Sequence, residues 1–337
     1  MSTIRTGTYK DVSAVILEND VLKVKILPEY GSKIASLVYK PLNHELLWQN
    51  PLEIYKKTKY GDNYESGEMS GFDEMFPTIS KCLYENPPAE GLEMPDHGEV
   101  WSIPWEYEAD EGSVRLHVHG VRFPYRLEKK VSLKGAVVHI EYVAENLSGF
   151  DFDFIWAAHP LFNASAGMEI IVPESMNEII NSVPGPRFKE YGDIFDFPVA
   201  RLDDLSEFNC GVVPVKNEYG YQKYYFSGKA KEGWCILFDK EKKINIGLSF
   251  PKEKVPYLGM WVNEGGWERQ YNIAPEPATG GMDRVDAAKK WGMNSVLKPG
   301  EQYRWHLNIS ASEGEKAQKV TDDGEIVNNT SFKGHSK

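Results

Sequence analysis

The sequence predicts an all-β protein, a large antiparallel sandwich with few short helices. Three observations carry this expectation. Short runs rich in β-branched and aromatic residues recur along the chain, punctuated by Gly, Pro, Asn and Asp. Helical periodicity is almost absent, and "DRVDAAKKWG" at 283–292 is the one short stretch that suits a helix. No composition break, low-complexity linker or fixed-period repeat divides the 337 residues, so a single body is expected over 1–317.

Taken in order, "VLKVKILPEYGSKIASLVYK" (21–40) reads as two strands joined by a turn at Pro28 to Gly31. "SVRLHVHG", "YRLEKKVSL" and "AVVHIEYVAEN" follow, the last two joined at Lys134 and Gly135 like a hairpin. "FDFDFIWAAHPLF" (150–162) alternates if it runs as one unbroken strand. It then places Phe150, Phe152, Phe154 and Trp156 on a core face, with Asp151, Asp153, Ile155, Ala157 and His159 on the other. Pro160 is expected to stop regular pairing just after His159. Further strand signals lie in "KYYFSG", "GWCILFDK", "KINIGLSF" and "YRWHLNIS". The polar segment 318–337 is expected to fray as a C-terminal tail. The connections at 55–96 and 174–204 are longer than joining strands requires, and loops of that kind usually shape a binding site.

Charge and cysteines narrow the function. Lys and Arg number 38 against 50 Asp and Glu, a formal charge of −12 with no basic cluster, which argues against nucleic acid and anionic lipid as partners. The three cysteines Cys82, Cys210 and Cys235 are scattered and form no metal-binding spacing, which suits a reducing cytoplasm. No apolar run approaches the length of a membrane span, and the N-terminal residues lack a signal-peptide core. A cytoplasmic monomer or weak homodimer is expected.

Several residues stand out chemically. His97, in "MPDHGEVW", sits between an Asp-Pro turn and a glycine. It suits a metal ligand, half of an acid/base pair, or an ordinary loop polar residue. His159 ends the mixed face of its strand, where a bond to a neighbouring loop is the competing account. Glu276, in "NIAPEPATG", lies between two prolines that fix φ and stiffen the backbone, a mount that suits catalysis, with an exposed turn acid as the alternative. His117 and His119 share a strand face, but Glu128 completes no metal pattern with them, so no metal is expected and the two read as solvated strand histidines. His139 and His306 read the same way. No nucleophile elbow or phosphate-cradling glycine loop occurs.

Together these stretches resemble the aldose 1-epimerase (galactose mutarotase-like) family. The matching pieces fall in the family's order: "GSKIASL" at 31–37, "LLWQNP" at 46–51, "DHGEVW" at 96–101, "HPLF" at 159–162, "MWVNEGGW" at 260–267, "EPATG" at 276–280 and "LKPGE" at 297–301. The resemblance spans about 21–310. It implies a β-supersandwich with a sugar-binding cleft and a cofactor-free interconversion of the α and β anomers of a hexose or modified hexose. It maps the family's two histidines and late glutamate onto His97, His159 and Glu276.

The chemistry needs such residues, because ring opening delivers a proton to the ring oxygen while another leaves the C1 hydroxyl. On reference pKa values near ~6.5 and ~4.3, His159 is expected as general acid and Glu276 as an already ionised general base. The nearby carboxylate is expected to favour the charged form of His159. His97 would hydrogen-bond the reacting oxygens. Trp101 and Trp261 are expected as cleft walls, since the C–H face of a pyranose packs on an aromatic ring, with ordinary core as the alternative. The family's arginine before the first histidine is missing, and its sugar-gripping aspartate has no clear counterpart. Asp73, Glu74, Lys81 and Glu99 are therefore expected to bind the sugar hydroxyls. A non-catalytic carbohydrate-binding or sensing protein on the same fold is the competing reading.

Overall fold

A computed structural model describes residues 2–328. Two large antiparallel sheets face each other across one continuous apolar core. One sheet has 13 strands and the other eight. Alternation sets which residues enter that core. Along Tyr125–Lys134 the side chains of Tyr125, Leu127, Lys129, Val131 and Leu133 point inward and the intervening polar residues outward. Lys129 is thus carried into the core by register alone. Among the described residues no helix is long and apolar enough to cross a membrane. Among the described residues the one α-helix is Val285–Lys290, inside the stretch the sequence marks out.

The expected strand pairs form. Leu22–Leu27 pairs with Lys33–Tyr39, and Tyr125–Lys134 with Val137–Asn146 in a hairpin. Two expectations need correction. The run 150–162 is not one strand but three: Phe152–Phe154, Ala157–Pro160 and Phe162–Asn163. The first pairs with Ser295–Leu297 in a separate ribbon, while the second inserts into the 13-stranded sheet beside Phe72–Met75. The break re-aims the chain at Ile155 and Trp156. Asp153 is thereby bonded to Asn294 rather than sharing a face with His159. Pro160 does not end the pairing either: it stands opposite Phe72, and Leu161 continues by donating its N–H to Gly71.

The second correction concerns the tail. Ala317–Val320 pairs with Ile326–Asn328 around a turn closed by Thr321 and Glu325. Ala317, Val320 and Ile326 pack on Trp234 and Ile236, at the outer face of the eight-stranded sheet. Three apolar residues flanking a Gly-containing turn, with Asn308 donating to the Asp322 carbonyl and Ala317 N–H to Asn245, dock this polar segment. The rest of the expected tail, 329–337, lies outside the described residues.

Candidate active site

Four neighbouring strands of the large sheet supply the floor of a cleft: Phe72–Met75, Ala157–Pro160, Asn272–Ala278 and Tyr257–Asn263, with Tyr221–Phe226 beyond. The Glu276 strand carries Pro275 and Pro277 in the middle of this sheet, where a missing N–H ordinarily breaks the ladder. Here the ladder toward the His159 side is made at its ends, at Ala157 opposite Ala278 and Phe162 opposite Ile273. The prolines therefore fall where no ladder bonds toward that side are made. On the other side, Gly259 stands between Glu276 and Tyr225 in one cross-strand row. A Cβ there would lie 3.2 Å from the Tyr225 ring and 3.4 Å from Glu276 Cβ, so the glycine lets the flanking groups close up.

The sheet brings His159 and Glu276 together, with Nε2 of the histidine 3.6 Å from Oε1 of the glutamate. The other Glu276 oxygen is bonded by the ammonium of Lys223, which also lies 3.6 Å from Asp283. Asp283 in turn accepts from the Tyr225 hydroxyl at 2.8 Å. Oε1 of Glu276 is buried and has no hydrogen-bond partner.

His97 arrives from the loop above. Its φ of +57° is left-handed, a conformation that histidine tolerates better than branched residues. Gly98 follows at +77°, where a Cβ would lie 2.2 Å from the carbonyl oxygen of Phe76. The segment is pinned by His97 N–H donating to Ile79 and Glu99 N–H to Phe76. The His97 ring bonds Asp96 through Nδ1 at 3.0 Å, stacks on Tyr64 at 4.0 Å, and lies 5.4 Å from the His159 ring. His97 and His159 thus line one cleft of about 260 Å³, with Glu276 buried beneath it beside His159; the volume is below the usual range of ligand pockets and suits a single small ligand. Trp261 and Trp267 stand edge-to-face in its wall, with Tyr64, Asn263 and Gln270.

The charge states differ from the sequence expectation. Burial pushes Glu276 up, Lys223 pulls it part of the way back, and the balance lies at about 7. His159 falls well below its ordinary value, chiefly through burial, then through the nearby charges of His97, Lys223 and Lys33. The expected gain from the Glu276 carboxylate does not outweigh these. Burial also opposes the Lys223 charge, but Asp283 and Glu276 more than offset it and its pKa rises. Asp96 likewise ends low despite its burial, because His97 and two backbone N–H groups favour the carboxylate.

Of the six residues expected to bind sugar, Trp261 lines the cleft. Asp73 lies beneath it, paired with Lys33 at 2.7 Å and with the Tyr64 hydroxyl at 2.9 Å. The other four are elsewhere. Glu74 follows Asp73 on the same strand and so points the opposite way, into the core between the sheets, bonding Lys129, Tyr142 and Trp156. Glu99 is buried under a loop, accepting from Tyr60 and from the backbone of Val121 and Arg122. Lys81 is exposed and pairs with Glu93. Trp101 is core: it packs behind Tyr64 and donates to the backbone of Asp96. Arg187 is held by Glu264 on both oxygens. His117 and His119 stay on the outer sheet face, and Glu128 is taken up by Arg115 and Arg126.

Sequence reasoning passed over Tyr64, Asp96, Lys223, Trp267 and Asp283. One signal was readable: Lys223 interrupts the aromatic run "YQKYYF", and a lysine carried inward on a strand of that kind needs a carboxylate partner.

The protein is a two-sheet antiparallel sandwich with acid/base groups beneath an aromatic-walled cleft. No family model and no curated protein sequence matches this chain. Solved structures do. A protein from Synechocystis sp. PCC 6803 superposes with a TM-score of 0.68 at 16% identity, covering 91% of this chain and 99% of its own. A galactose mutarotase-like protein from Lactobacillus casei gives 0.61 at 18% identity, over 89% and 100%. A candidate aldose 1-epimerase from Escherichia coli K12 gives 0.62 at 14%, over 93% and 100%. The chain has the galactose mutarotase-like fold.

Proposed function

We propose that the protein is a cofactor-free aldose 1-epimerase acting on a neutral monosaccharide. The observation that carries this reading is the pair of His159 Nε2 and Glu276 Oε1, 3.6 Å apart at the bottom of a cleft that His159 lines and tryptophans wall. The fold and the sequence motifs agree with it. The charges favour a neutral sugar. Lys223 is the cation among the lining side chains apart from the histidines, and two carboxylates already engage it, while Glu65, Asp96 and Asp283 add negative charge.

The reaction needs one proton held between two groups. With His159 pushed down and Glu276 up, the ligand-free pair holds that proton on the carboxyl. Glu276 then gives it to the ring oxygen as the C1–O5 bond breaks, while Nε2 of His159 takes the C1 hydroxyl proton and the C1 carbonyl forms. Rotation about C1–C2 presents the other carbonyl face. Reclosure runs the transfers backwards, with protonated His159 as acid toward the C1 oxygen and Glu276 as base toward the ring hydroxyl, so the opening roles are the reverse of those expected from the sequence. His97, held by Asp96, is within reach to hydrogen-bond the reacting oxygens. Each such proton transfer typically gives ~10²–10⁴-fold.

The test is anomer exchange by NMR or polarimetry over neutral, acidic and phosphorylated hexoses. Acceleration for neutral sugars, lost in Glu276→Gln, is the expected result. Sugar binding with no acceleration would overturn the catalytic reading in favour of a carbohydrate sensor.

A further inference from the structure

The hydroxyl of Tyr64 touches two groups that compete for its single proton. It lies 2.9 Å from Oδ2 of Asp73 and 3.3 Å from Nδ1 of His159. Which contact takes the proton decides the state of the histidine, since a neutral imidazole has one donor and one acceptor nitrogen. The ammonium of Lys33 settles the choice. It sits 2.7 Å from the same Asp73 oxygen and also donates to the Ser70 carbonyl at 2.7 Å. A buried carboxylate paired with an ammonium accepts and does not donate. The phenol proton therefore points to Asp73, and the phenol oxygen is left as an acceptor toward His159.

We infer that Tyr64, backed by Asp73 and Lys33, is a positioning residue that holds neutral His159 with its proton on Nδ1 and turns a bare Nε2 toward the cleft. A second observation agrees. Nε2 and Glu276 Oε1 stand 3.6 Å apart, beyond hydrogen-bond length, and the carboxyl oxygen has no partner although it is buried. An N–H on Nε2 facing an ionised Glu276 would draw the two into a hydrogen bond, and that bond is not made. The same phenol ring stacks on His97 at 4.0 Å and meets His159 edge-on at 5.2 Å. Tyr64 thus sets the orientation of both histidines.

The orientation itself is independent of any substrate; its role in turnover rests on the proposed epimerase activity. The first measurement is ¹⁵N NMR of the histidine rings in the ligand-free protein near neutral pH, where the unprotonated nitrogen has a distinct downfield shift. Wild type should show His159 protonated at Nδ1. Tyr64→Phe keeps the ring but removes the acceptor, and should populate the Nε2–H form. Asp73→Asn offers an amide donor to the phenol oxygen, sends the phenol proton to Nδ1, and should produce the same change from one residue further away. Circular dichroism establishes that both variants are folded. In exchange assays Tyr64→Phe should lose about 10²-fold in kcat. A wild-type His159 protonated at Nε2, or tautomer populations unmoved in a folded Tyr64→Phe, would overturn the inference. An Nδ1–H wild type that accelerates no sugar would support the tautomer assignment and overturn the epimerase reading instead.

Discussion

Among the described residues two lysine–glutamate pairs are buried on both sides, and they differ in one respect that separates structure from chemistry. Glu74 and Lys129 meet at 3.0 Å between the sheets. Tyr142 adds a second bond to Oε1 of Glu74, Trp156 occupies Oε2, and the ammonium also donates to the Ser32 carbonyl. Every polar end is occupied by protein. Glu276 and Lys223 are also buried, but one carboxyl oxygen faces His159, which lines the cleft, and has no hydrogen-bond partner. Burying a charge is tolerated when it is fully bonded. A buried carboxyl left with a free lone pair is poised to exchange a proton with something that enters.

The largest test of that contrast is to break each pair. Glu276→Gln should lower anomer exchange ~10²–10⁴-fold while leaving the fold intact by circular dichroism. On the other side, Lys129→Met leaves Glu74 charged and unpaired in the core. Urea unfolding should show a loss of about 3–5 kcal/mol, with exchange per folded molecule near wild type. Glu74→Leu combined with Lys129→Met should recover part of that loss. It cannot recover all, because the Tyr142 hydroxyl and Trp156 N–H lose their acceptor.

The same contrast explains what the sequence could and could not convey. The sheets were legible because alternation and turn chemistry are local. His97, His159 and Glu276 are singled out by ordered motifs, and the structure places them near one another. Asp73 and Glu74, adjacent in sequence, were both assigned to sugar, yet in a strand adjacent residues face opposite ways. One lies beneath the cleft and the other is sealed in the core. Tyr64 and Asp283 were passed over for a different reason. Each lies outside the sheet ladders that frame the cleft, and its role exists through contacts with strands far away in the chain, such as Tyr64 with His159 and Asp283 with Tyr225.

A pH series sharpens the comparison further. Glu276 titrates near 7 and His159 well below its usual value, so the pair holds one proton in the window between them. Above about pH 7 that proton leaves, and kcat/KM should fall about tenfold per pH unit, a limb that belongs to the pair. Lys223 favours the ionised form of Glu276. Lys223→Met should therefore move this limb to higher pH, whereas Lys129→Met should leave it in place. Trp261→Ala tests the cleft wall. The loss of a stacking face should raise KM about tenfold, with kcat within about twofold.

The smallest expected effect falls on Lys81, which the sequence suggests as a sugar ligand beside the first histidine. Its neighbour Ser80 does line the cleft, but the Lys81 side chain turns outward to Glu93 at 2.8 Å, with both partners open to solvent. Exposed pairs of this kind contribute ~0–1 kcal/mol. Lys81→Ala should leave kcat, KM and stability close to wild type for neutral sugars. The informative case is an anionic sugar. The lining cation Lys223 is already engaged by two carboxylates, so an acidic or phosphorylated sugar would need a lysine recruited from the rim. A KM that rises in Lys81→Ala for such a sugar alone would show that Lys81 swings inward to bind it, and would move the substrate class from neutral to anionic.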